Sequence, residues 1–169
     1  MKFLKLIVSS LAICSALHAS LAAAQSASPS KNPTSYLGIG SSIGLNGNTT
    51  SLGTGGGLAI LSKVGFTENL SLHDATILFG SGAATSMIIL TAEFPIRNES
   101  GQTIISPFFG GGAMLRYNEG LLISPALSGG IDIPLSKNFT GTVRINAGFP
   151  SDRNADIGIL IGAGYNIGS

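Results

Sequence analysis

The segment Asp156–Ile167 constrains this chain more than any other stretch. Ile157, Ile159, Ile161, Ala163, Tyr165 and Ile167 share one face of an extended strand, and Asp156, Gly158, Leu160, Gly162, Gly164 and Asn166 share the other. The division follows from the two-residue period of strand side chains. A soluble β-sandwich packs large side chains into its core. Here the bulky apolar face is backed by glycine and polar residues, the pattern of a membrane barrel in which lipid covers the apolar face and a narrow interior holds the small one.

The N-terminus reads as a secretory leader over residues 1–24. Lys2 and Lys5 supply positive charge, Leu6 to Leu21 an apolar run, and Ala22-Ala23-Ala24 a small-residue cleavage site. The single cysteine, Cys14, falls inside that leader, so the exported remainder has no disulfide framework. Without Lys2 and Lys5, seven basic side chains face eight acidic ones, with no basic run, which argues against nucleic acid as a partner. The chain also holds 24 glycines, and no stretch after the leader reaches the ~18 apolar residues that mark a membrane-spanning helix. Strands are left as the way to cross.

Residues 25–34 are polar and contain proline, and read as a flexible lead-in to a barrel over 35–169. Extended segments are predicted at 36–46, 54–66, 70–80, 84–96, 104–117, 121–135, 139–149 and 155–167. Each is long enough for a tilted membrane-spanning strand, for which ~9–11 residues suffice. The fold class is therefore all-β, an eight-stranded antiparallel up-and-down transmembrane barrel with both termini on one side. Phe66-Thr-Glu-Asn-Leu-Ser71 and Leu135-Ser-Lys-Asn-Phe-Thr140 repeat one turn pattern, and Phe94-Pro-Ile-Arg-Asn98 resembles Ile133-Pro-Leu-Ser-Lys137. An up-and-down path puts these turns on the rim that carries the termini. Tyr36, Phe66, Phe94, Phe139 and Tyr165 then form an aromatic girdle at that rim, with Phe79, Tyr117 and Phe149 at the other.

With the apolar faces outward, the charges fall inside. Lys63, Glu93, Arg116, Asp132 and Arg144 are expected to form an interior polar network, since isolated buried ions are very costly. Arg144 is expected beside Asp132, and Lys63 at the depth of Glu93. Eight strands leave an interior that side chains can fill, which favours a plug over a pore. Residues 54–90 alternate poorly, with Ile77 and Ile89 on the notional inner face, and leave the register there open.

Catalytic, cofactor-binding and metal sites are not expected. Ser71, His73 and Asp74 are adjacent, but a strand sends His73 and Asp74 to opposite faces, and no His or Cys spacing suits a metal. Gly53–Gly57 and Gly110–Gly112 lack the following lysine and helix of a phosphate loop.

Together with the leader and the Asn-centred turns, Gly162-Ala-Gly-Tyr-Asn-Ile167 and Ile105-Ser-Pro-Phe-Phe-Gly-Gly-Gly112 resemble the small eight-stranded outer-membrane barrels, namely the opacity-type proteins and the barrel domain of outer membrane protein A. The resemblance spans 36–167. It implies outer-membrane lipids as surroundings and insertion by the barrel assembly machinery, whose usual C-terminal aromatic signal is replaced here by Ile167-Gly168-Ser169 after Tyr165. The expected function is a structural or surface-interaction role, with Asn46–Thr54 and Ser151–Asn154 as outward loops. A narrow channel and a soluble periplasmic barrel around an apolar ligand are the alternatives.

Overall fold

The computed structural model describes residues 33–46, 57–78, 84–117, 120–151 and 154–167. The predicted leader, the lead-in before Pro33 and Phe79 lie outside the described residues, and so do the two predicted outward loops apart from Asn46, Ser151 and Asn154. Nine strands appear among those described: β1 (Ser35–Gly44), β2 (Gly57–Thr67), β3 (Leu70–Leu78), β4 (Ala84–Glu93), β5 (Ile96–Arg97), β6 (Thr103–Tyr117), β7 (Leu121–Pro134), β8 (Phe139–Gly148) and β9 (Asp156–Ile167).

Eight of them close a barrel. Neighbours in sequence pair antiparallel from β1 to β4 and from β6 to β9, β4 pairs with β6, and β1 joins β9 from Ser35↔Ile167 to Gly44↔Gly158. Closure leaves no long free sheet edge. The short β5 is the one departure from the predicted strand count. The segment predicted over 84–96 stops at Glu93, because Pro95 offers no N–H for a ladder. The chain then re-pairs as Ile96↔Ile105 and Arg97↔Thr103 before turning back through Gly101, whose φ of 77° suits a residue without Cβ.

The repeated turn has a physical basis. Asn69 N–H donates to Thr67 Oγ1 at 3.2 Å, and Asn138 N–H donates to Ser136 Oγ at 3.3 Å. The same hydroxyl two residues before the same asparagine folds both hairpins.

Inside and outside are inverted relative to a soluble protein. Ile39, Phe109 and Ile123 are 67, 63 and 68% exposed, whereas Lys63, Asp132 and Arg144 are 3, 2 and 2% exposed. Around β1 and β6–β9 the outward face is an almost unbroken apolar belt. At the rim bearing the termini it carries the Phe139–Tyr165 edge-to-face pair and the stacked Phe94–Phe109 pair, with centroids 5.5 and 5.6 Å apart. Tyr36 corrects the predicted girdle: it is fully buried and points inward, because Leu37 and Ile39 occupy the outward parity of β1.

Candidate functional site

The interior holds a charged network near the termini and, beyond it, a buried apolar cluster. In the charged network, β2, β4 and β7 bring Lys63, Glu93 and Asp132 together. Lys63 Nζ lies 2.6 Å from Glu93 Oε1 and 3.0 Å from Asp132 Oδ2. Ser106 Oγ donates to Glu93 Oε2 at 3.3 Å. Tyr36 Oη donates to Asp132 Oδ1 at 3.2 Å and accepts from Arg144 Nη2 at 2.5 Å, while Arg144 Nε donates to Thr142 Oγ1 at 3.2 Å. Arg144 thus reaches Asp132 through the tyrosine hydroxyl, where the sequence suggested a direct pair. Two cations and two carboxylates balance, and each carboxylate has more than one donor, the condition under which buried charge is tolerated.

Arg116 stands apart. It is buried on β6 in register with Thr85 and Leu122, ten residues along the strand from Ser106, or roughly 33 Å at the usual rise. The structure brings four of the five predicted residues into one network and places Arg116 toward the other end.

Two members were not anticipated there. Tyr36 links the charges, and His73 is 1% exposed with Nε2 3.2 Å from Glu93 Oε1 and its ring 4.3 Å from that of Phe108. The signal for both was parity: each shares its strand's inner face with glycine or a small residue. His73, Glu93 and Asp132 present ligand atoms within 4.8 Å of one another. The Lys63 ammonium touches both carboxylates at 2.6 and 3.0 Å, however, and takes the place of a metal ion between them. Ser71 shares the inner face with His73 while Asp74 points outward, so the three adjacent residues form no catalytic triad. A cavity of about 100 Å³ opens at the rim of the termini, lined among others by Pro33, Thr34 and Pro134, and ends on Lys63, Glu93 and Asp132.

Beyond this network lies an apolar cluster, with Arg116, Asn146, Ser128 and Asp156 buried on the same inner face toward the other rim. Ala59, Leu61, Ala75, Ile77, Met87, Ile89, Met114, Ala126 and Leu160 form one buried cluster with Tyr36. Glycines on the facing strands make room for it. A Cβ added at Gly162 would sit 2.3 Å from Leu61 Cδ1, one at Gly164 2.4 Å from the Tyr36 ring, and one at Gly148 2.5 Å from Met114 Sδ. Large side chains from one wall fill notches in the other, so this cluster is closely packed.

No protein-family model and no curated protein sequence matches this chain. Among solved structures it is similar to a de novo designed transmembrane β-barrel, with a TM-score of 0.59 at 16% identity, covering 82% of this chain and 99% of that one. The N-terminal β-barrel domain of Pseudomonas aeruginosa OprF superposes with a TM-score of 0.56 at 9% identity, covering 79% of this chain and 96% of the domain. The attachment invasion locus protein Ail of Yersinia pestis gives 0.50 at 16% identity, with 80% and 99% covered. The chain shares with these the fold, an antiparallel barrel of the transmembrane type.

Proposed function

We propose that this chain is an integral outer-membrane barrel with a structural or surface-interaction role and no open pore. The observation that carries the reading is the filled interior: a balanced charge cluster near the termini and a glycine-notched apolar cluster beyond it. The outward belt supports lipid as its surroundings, and the barrel fold supports insertion by the barrel assembly machinery. The leader over residues 1–24 would deliver it there. Recognition of surface partners would fall to the loops around 46–54 and 151–154.

Two measurements test this. Carbonate-resistant membrane association, with a mobility shift between unboiled and boiled samples on SDS gels, is the expected result; extraction as a soluble species without a shift would return Ile157, Ile159 and Ile161 to a soluble core. In planar bilayers the folded protein should give no unitary conductance. Steady ion-selective steps, altered by Glu93→Gln or Arg144→Gln, would favour the narrow channel.

A further inference from the structure

The ladder that closes the barrel is unlike the others. Along the inner face of β1–β9, Gly38 faces Gly164, Gly40 faces Gly162 and Gly44 faces Gly158. Glycine faces glycine in no other ladder among the described residues. Cross-strand side-chain pairs stabilise a sheet, so the inner half of this seam gains little from its own side chains. Tyr36 fills the notch that results: a Cβ added at Gly164 would come within 2.4 Å of its ring. From β1 the Tyr36 hydroxyl also reaches past the seam, donating to Asp132 on β7 at 3.2 Å and accepting from Arg144 on β8. In a sheet laid open at the seam, β1 and β2 form one end, and β7, β8 and β9 lie at the other. Lys63 on β2 and Asp132 on β7 are then separated by four strand spacings of about 4.8 Å each.

We infer that Tyr36 is the latch of the barrel seam, and that pairing of β1 with β9 and completion of the charge network are one event. With the seam open, Asp132 lacks both Lys63 and the Tyr36 hydroxyl, and Arg144 lacks the bridge to Asp132. Ions buried without partners are costly, so the interior cannot close around them until β1 arrives. Closure supplies the missing partners together. The network then holds in place a seam whose facing glycines contribute little. The inference rests on the closed barrel itself and not on the membrane placement proposed above.

Tyr36→Phe keeps the ring in the Gly164 notch and removes the hydroxyl. Amide hydrogen exchange of the barrel folded in detergent micelles reads the result ladder by ladder. Exchange in the β1–β9 ladder should rise about tenfold, the worth of a hydrogen bond to a charged group, while the β3–β4 ladder keeps its rates. A disulfide across the seam, from Ile39→Cys with Ala163→Cys, should restore slow exchange. These two positions pair in register, and Cys14, the only cysteine of the chain, falls within the predicted leader. Exchange that rises equally in β3–β4, or does not rise in the seam, overturns the latch. Should Tyr36→Phe give no folded barrel, the disulfide decides: a heat-shifted band restored by it upholds the latch, and failure to restore one overturns it.

Discussion

The two halves of the interior solve one problem by opposite means. Near the termini, Lys63, Glu93, Asp132, Arg144 and Tyr36 satisfy one another through directed bonds, and removing any one orphans the rest. In the apolar cluster beyond them, Leu61, Ile77, Met87, Ile89 and Met114 fill space without direction, and glycines in the facing wall set how much space there is. The charged half is specific and intolerant of losing one partner. The apolar half tolerates chemistry but not volume. A barrel of this width needs both, since a wholly charged interior would bear desolvation along its length and a wholly apolar one would fix no register.

The largest effect is expected where one charge is removed. Lys63→Met leaves Glu93 and Asp132 facing each other in a buried site and should cost about 3–5 kcal/mol, measured by urea unfolding of the barrel folded in lipid vesicles. Adding Glu93→Gln, which leaves Asp132 balanced against Arg144, should recover most of that loss. A near-neutral Lys63→Met would mean that the charged half is solvated through the rim cavity and no more directional than the other. Overfilling the apolar half comes next. Gly162→Val drives a Cβ toward Leu61 Cδ1 at 2.3 Å and the Ile39 carbonyl oxygen at 2.7 Å, and should cost roughly 1–3 kcal/mol. Combining it with Leu61→Ala should recover part of the loss, a coupling that a double-mutant cycle reads directly. Underfilling the same half is milder: Ile77→Val should cost about 0.5–1.5 kcal/mol, and Ile89→Val likewise.

The same contrast explains what could be read before the structure. The path of the barrel was legible, because most of β6–β9 sets a bulky apolar face against one rich in glycine and polar residues, and the Asn-centred turns repeat with their hydroxyl bonds. The meeting of Lys63 with Glu93 was legible from depth and parity, whereas Asp132, expected beside Arg144, also bonds Lys63. Arg116 was grouped with them because alternation reports a side chain's face and not its height, and ten residues of β6 separate it from Ser106. Tyr36 was read as a rim aromatic because girdle residues and interior linkers have the same composition; only its pairing with the Gly164 notch and the Asp132 carboxylate distinguishes them. The register of 54–90 was illegible for a definite reason. There the inner face is apolar, at Leu61, Ile77 and Ile89, and the outer face carries Ser62, Asp74 and Thr76, so both faces are mixed and the two-residue signal cancels.

The smallest effect sharpens the comparison by holding chemistry fixed and changing only surroundings. Arg97 Nη2 and Glu68 Oε2 are 2.7 Å apart, about as close as Lys63 and Glu93, but their side chains are 29 and 31% exposed. Water and salt compete for that pair, and each ion keeps part of its hydration on folding. Arg97→Ala should cost less than about 1 kcal/mol, and the cost should fade further as salt is raised. Unfolding midpoints of Arg97→Ala and Lys63→Met, compared at low and high salt, separate the two environments: the interior substitution keeps its large cost at both. Should Arg97→Ala cost as much as Lys63→Met, distance alone would set the worth of these bridges, and burial within the barrel would lose its place as the cause of the charged half's intolerance.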